Sequence, residues 1–204
     1  MRKTPHLRKL GFGTCLLALI LSGCLGDGRS VDFYNLTPLP RPAGGPDSTP
    51  GTIIAVPPVG IPQYIDRPQI VTRTHENQIA LAEFHRWGGG LKDELTHVLV
   101  ENLNTLLAER RVNVMVDSLA IDPKYVVTVT VNRFDGQLGD AVWLNAAWTI
   151  RDQKAKKMLA AKTSIIQEKA TAQDYSALVV AESRAMGALS REIAADLDRV
   201  LKTP

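Results

Sequence analysis

The stretch YVVTVTVN at 125–132, followed by AVWLNAAWTIR at 141–151 and KMLAAKTSIIQ at 157–167, decides how this chain folds. Tyr125, Val127, Val129 and Val131 alternate with Val126, Thr128, Thr130 and Asn132, the period of a strand with one buried face. Val142, Leu144, Ala146, Trp148 and Ile150 share one face of the second piece. Asp135-Gly136 reads as the start of a polar turn, and Asp152-Gln153-Lys154 as another. Three neighbouring strands joined by short turns predict an antiparallel meander.

Beyond the meander, Tyr175, Leu178, Val179, Ala185, Met186, Leu189, Ile193, Leu197, Val200 and Leu201 keep one apolar side. They predict a helix from Asp174 to Lys202, with Asp174 in its first turn and Gly187 a weak point costing about 1 kcal/mol. Upstream, Leu91, Leu95, Val98, Leu99, Leu103, Leu106 and Leu107 follow helical spacing after Gly88-Gly89-Gly90, and Arg110 and Arg111 at the end suit the helix dipole. Short strands are expected at Val31–Leu36, Thr52–Val56, Gln69–Thr74, Gln78–Ala82 and Val112–Val116. Five prolines and three glycines within 37–51 exclude regular structure there, so that run is an exposed loop. Two amphipathic helices need one sheet face to cover. The expected fold is α/β (α+β), a two-layer sandwich whose mainly antiparallel sheet is covered on one face by both helices.

Composition narrows the function. The chain has 204 residues, 45% hydrophobic and 22% charged, within the range of one folded domain. Its 24 bases and 21 acids include four bases and no acid in the first 23 residues, so the remainder carries 20 bases against 21 acids. That balance argues against a nucleic-acid partner. Two cysteines exclude a disulfide framework, and four spread histidines argue against a metal centre.

The N-terminus is the strongest single signal. Basic residues 1–9 precede the apolar run LGFGTCLLALILS at 10–22, the pattern of a secretory signal and too short to span a bilayer. The run ends in Leu21-Ser22-Gly23-Cys24, which resembles the lipobox cut by bacterial lipoprotein signal peptidase. Small Ser22 and Gly23 let the protease reach the bond, and the Cys24 thiol accepts the diacylglycerol. By the sorting rule of enterobacterial lipoproteins, which this resemblance brings in, Leu25 rather than Asp after the cysteine implies a lean toward the outer membrane. The expected organisation is a signal peptide at 1–23, a lipidated tether at 24–31 reaching at most about 27 Å, and one domain at 32–204.

Chemistry-bearing motifs are sparse. Gly88-Gly89-Gly90 lacks the lysine and hydroxyl of a phosphate loop, His97 and Glu101 lack a second histidine, and no G-x-S-x-G elbow occurs. No catalytic residue, metal ligand or cofactor site is assigned. Trp143 falls on the polar face of its strand, where an aromatic side chain suits partner contact.

Asp32–Leu36, Ile54–Val59, Ile61–Arg73 and Arg86-Trp87, read together with the lipobox, resemble the PqiC-like (YmbA-like) ABC-type transport auxiliary lipoproteins. The Pro–Tyr–Asp–Arg–Pro–Gln stretch is the specific part, and Gly88-Gly89-Gly90 departs from the charged stretch that often follows Arg-Trp in the family. The resemblance implies a non-enzymatic subunit of a lipid-trafficking system. It would act with a periplasmic MCE-domain protein and its transporter complex, docking the MCE component to the outer membrane from the periplasmic face. A homo-oligomer matching a ring-shaped partner is plausible by symmetry. Pro62, Tyr64, Arg67, Pro68 and Arg73 join Trp143 as partner-binding candidates, because two prolines stiffen the loop and Tyr and Arg are favoured interface anchors. The competing reading is an outer-membrane assembly or cell-wall regulatory lipoprotein with a different client; a periplasmic hydrolase has only scattered Ser, His and Asp behind it. Replacing the acyl acceptor tests the anchor: Cys24→Ala should leave an unlipidated, uncleaved precursor without function, visible as a slower-migrating band, and full activity from that form would contradict it.

Overall fold

Period-two patterning produces eight strands in the computed structural model, which describes residues 30–41, 51–118 and 122–202. They are β1 (Asp32–Tyr34), β2 (Thr52–Val56), β3 (Gln69–His75), β4 (Gln78–Trp87), β5 (Val112–Val116), β6 (Tyr125–Gly136), β7 (Ala141–Asp152) and β8 (Lys157–Lys169). Helix α1 (Leu91–Leu106) lies between β4 and β5, and α2 (Tyr175–Lys202) follows β8. The signal peptide, Cys24 and residues 42–50 of the Pro/Gly loop lie outside the described residues.

The long ladders are antiparallel. β6 pairs with β7 from Tyr125↔Asp152 to Gly136↔Val142, and β7 pairs with β8 from Ala141↔Lys169 to Asp152↔Lys157. The other edge of β6 is shared by three segments in parallel: β2 at Ile54↔Tyr125, Gly60 at Thr130, and β3 at Thr72↔Gly136. β5 then extends β2 in parallel, while β4 pairs antiparallel with β3 and carries β1 in parallel at its far side. The sheet therefore forks along β6, and the segment between Gly60 and Gln69 bridges the two arms.

Two expectations change. Asp135 and Gly136 do not start a turn: both are buried in β6, and the chain reverses through Leu138–Asp140 with Gly139 at φ +74°. Asp-Gly favours a turn through its tolerance of positive φ, a local preference that the three hydrogen-bonding partners of the Asp135 carboxylate override here. Asp174 is the capping residue before α2 rather than part of its first turn; its Oδ1 accepts the Ala177 N–H at 2.7 Å.

The helices cover one face. α2 packs across β6, β7 and β8, and α1 lies beside α2 and against β5. Leu178, Ala185, Met186, Leu189, Ile193 and Leu197 of α2 meet Val142, Leu144, Ala146, Trp148 and Ile150 of β7 in the core. Gly136 lets α2 approach, since a Cβ there would stand 2.7 Å from Leu178 Cδ1. Among the described residues the buried core begins at Leu36, and Val31–Pro204 forms one compact unit.

Residues 35–40 form a strap over the helical layer. The Leu36 N–H donates to Glu94 Oε2 at 2.9 Å on α1, and the Thr37 N–H donates to Ser183 Oγ at 3.0 Å on α2. The Leu39 N–H donates to Asn102 Oδ1 at 2.7 Å, and Asn102 Nδ2 donates to Ser190 Oγ at 3.1 Å. Gly187 lets the strap lie close to α2, since a Cβ there would stand 3.0 Å from Leu39 Cδ2 and that side chain would have to shift. Asn102 thus joins strap, α1 and α2 through one buried amide. Asn102→Ala should lower unfolding free energy by about 2 kcal/mol in urea denaturation, the cost of leaving a buried donor and acceptor unpaired.

Candidate functional site

A buried carboxylate organises the end of β6. Asp135 is 0% exposed, at a strand position paired with Trp143 and hence on the sheet face opposite the helices. Tyr64 Oη donates to Asp135 Oδ2 at 2.8 Å from the loop bridging the fork. Arg73 of β3 donates Nη2 to Oδ2 at 2.8 Å and Nε to Oδ1 at 3.1 Å, a two-pronged grip. Arg133 donates its Nε to Oδ1 at 2.9 Å, and its guanidinium lies 4.7 Å from the centre of the Trp143 ring. Loop, β3 and β6 therefore meet on one carboxylate, and β7 joins through Trp143 against Arg133.

Local sequence explains the geometry. A bulge between Val131 and Arg133 resets the alternation of β6, bringing Arg133 and Asp135 to the same face as Asn145 and Trp143. The loop is bent at Pro62, whose carbonyl accepts the Ile65 N–H at 3.2 Å, and Ile65 drops into the core. The Pro68 carbonyl accepts the Trp87 N–H at 2.8 Å, fixing the loop's other end to β4.

Burial works against a charged Asp135, but hydrogen bonds from Arg73, Tyr64 and Arg133 outweigh it and hold the carboxyl below its ordinary range. Burial, then the hydrogen bond to Asp135, pushes the Tyr64 phenol up to about 12, so it remains a donor. The Arg73 guanidinium is raised by its bond to Asp135. On the helix side, Glu182 of α2 is 1% exposed and its Oε2 has no partner. Burial, and secondarily the Asp135 charge, raises its carboxyl well above normal.

Of the residues singled out from sequence, Tyr64, Arg73 and Trp143 converge here, the last through Arg133, while Pro62 and Pro68 set the bends of the loop. Arg67 does not join: its Nε is buried without a partner. Sequence reading missed Asp135, Arg133 and Glu182; the Arg133-x-Asp135 spacing was the one local hint. Beyond this cluster, the uncovered face of β6–β8 carries Thr128, Thr130, Asn145, Ala147, Thr149, Thr163 and Ile165, the last 78% exposed. This central patch contains no acid or base. Among the described residues there is no group of three or more His, Cys, Asp or Glu side chains placed to hold a metal, and no helix is long and apolar enough to cross a membrane.

The sequence model of the ABC-type transport auxiliary lipoprotein component family matches residues 34–194. The chain belongs to that family. It is 25% identical over 138 residues to the intermembrane transport lipoprotein PqiC of Escherichia coli K12, covering 68% of this chain and 72% of that protein; the Shigella flexneri PqiC matches equally. In fold it is similar to protein XCC0632 from Xanthomonas campestris, with a TM-score of 0.67 at 16% identity over 85% of this chain and 100% of that one. A crystal structure of an uncharacterized protein gives a TM-score of 0.69 at 22% identity, over 82% and 99%.

The two buried acids should shift stability in opposite directions with pH. The Asp135 contribution is full above its ordinary value of 3.8 and is lost as pH falls through the lower folded-state value. Asp135→Asn should cost about 3 kcal/mol at neutral pH and abolish that acid limb. Glu182 holds its proton more tightly when folded, so its contribution is full below 4.5 and declines as pH rises toward the folded-state value. Glu182→Gln should flatten that decline and raise stability at neutral pH. Denaturant titrations from acid to neutral pH read both.

Proposed function

We propose that this protein is an outer-membrane lipoprotein, anchored through acyl chains on Cys24, that docks the periplasmic MCE component of an intermembrane lipid transport system. The observation carrying this reading is the match of residues 34–194 to the transport auxiliary family, read with the Leu21–Cys24 lipobox. Its role is binding rather than catalysis.

The docking surface is the sheet face opposite the helices. Its centre is free of charge, as interface cores are, and it ends at Trp143 under the Arg133 guanidinium. The Asp135 latch holds the loop beside it in one shape, which lowers the ordering cost of binding. Tyr64 and Arg73 serve that latch, leaving the edges of Pro62 and Pro68 to face a partner. Several copies around a ring-shaped partner would repeat this contact by symmetry.

A photoreactive residue at position 143 of the full chain, expressed with its native envelope partners, tests the surface. It should capture an MCE-domain protein, whereas the same group at position 180 on the exposed side of α2 should not. Capture from 180 and none from 143 would overturn the surface, and loss of every MCE partner on purification would overturn the docking role.

A further inference from the structure

The β1–β4–β3 ribbon and the bend that leads into it carry two arginines that the Asp135 latch does not use. Gln69 pairs with Arg86, and the Trp87 N–H bonds the Pro68 carbonyl at 2.8 Å, so the bend that holds Arg67 is fixed beside the Arg86–Trp87 end of β4. Phe33 of β1 pairs with Arg86 from the other flank and is 67% exposed. Both arginine Nε atoms are buried without a hydrogen-bond partner. Among the described residues no carboxylate forms an ion pair with either guanidinium; Asp66, next to Arg67, is exposed and pairs with neither. An unbonded buried N–H costs free energy, so neither guanidinium is fully satisfied within the fold. A phosphate bonded to the N–H groups that remain open supplies partners, and the planar fork of arginine suits phosphate oxygens.

Strand directions say which surface supplies it. β3 runs parallel to β6 and meets it at Gly136, the last residue of β6; β4 runs opposite to β3, and β1 follows β4. The chain therefore comes into β1 near the Gly136 end of the long strands. Lys124, Arg151, Lys154, Lys156 and Lys157, none in an ion pair among the described residues, cluster instead around the β7–β8 turn, about 35 Å away at the Tyr125 end. Phe33 follows Cys24 by nine residues, a reach of about 31 Å. An exposed aromatic side chain beside arginines is the composition of a bilayer-interface contact.

We propose that Arg67, Arg86 and Phe33 form a contact site for the anionic headgroup phosphates of the bilayer to which the chain is hooked, with Phe33 entering the interface. The site draws on the anchored reading for proximity alone, and it assigns Arg67 to lipid rather than to a protein partner.

Flotation of the unacylated chain from Leu25 onward, which keeps the whole core, with phosphatidylcholine vesicles with or without phosphatidylglycerol tests the site without any protein partner; its failure is therefore separate from failure of MCE docking. Wild type should bind the phosphatidylglycerol vesicles more tightly. The Arg67→Gln/Arg86→Gln double variant should lose about tenfold or more in affinity for them, Arg67→Gln alone less. Phe33→Ser, at an exposed position that leaves the core intact, should weaken binding, while Lys154→Gln/Lys156→Gln at the distant turn should bind as wild type. Melting temperatures near wild type identify folded variants. Undiminished binding by Arg67→Gln and Phe33→Ser, or a loss confined to the lysine pair, would overturn the proposal. Calorimetric binding of inorganic phosphate as tight as that of vesicles would show a site for the free anion and overturn the lipid assignment.

Discussion

One buried carboxylate carries much of this structure. Asp135 sits at 0% exposure and stays charged because a phenol and two guanidinium groups surround it. Those donors come from the loop, from β3 and from β6 itself. Without the carboxylate, Arg73 would be a poorly solvated cation and the loop would be held by backbone bonds at Gly60 and Pro68 and by apolar contact of Ile61, Tyr64 and Ile65. With it, a forked sheet edge, where parallel pairing is short, closes into a fixed shape. A hydrogen-bonded ionic cluster of this kind contributes more to uniqueness than to net stability, since desolvation offsets much of the attraction.

The strap on the helical side is held mainly by neutral groups. Asn102 and Ser183 bind its backbone by amide and hydroxyl bonds, Ser190 supports Asn102, and the Glu94 carboxylate accepts the Leu36 N–H. The strap follows β1 directly, so a pull on the N-terminal side of β1 passes through a short strand before reaching the helices. β1 has only three residues, but it adds to β4 in register, and the Gly88 N–H bonds the Tyr34 carbonyl at 2.8 Å. Under the proposed anchoring this is a mechanically sensible arrangement: a pull on the N-terminal side of β1 meets a sheet edge first and then both helices.

The meander and the helices were legible in the sequence because each obeys one period over a long window: Val127, Val129 and Val131 in β6, Leu178 through Leu197 in α2. The latch was half legible. Tyr64 and Arg73 stand out as interface-type residues in a proline-stiffened loop, yet their common target lies 71 and 62 positions away. Asp135 beside Gly136 looks like a turn, since burial of a carboxylate depends on donors that only the fold brings together. The parallel contacts of β2, Gly60 and β3 along β6 leave no local trace either, because they depend on a crossover and not on composition. Glu182 sits in a helix at a position whose period calls for an apolar residue, a mismatch that periodicity alone registers as noise.

Family membership and the lipobox point to a binding protein held at a membrane, and the latch explains how its loop keeps the shape in which it was read. Hydrogen exchange of the intact protein tests that dependence most directly. If Asp135 makes the loop part of the rigid unit, the Ile65 and Arg67 amides, each bonded within the loop at 3.2 and 2.8 Å, should exchange as slowly as those of β6. Exchange of those two amides at the rate of an open surface loop, with β6 still protected, would contradict the account.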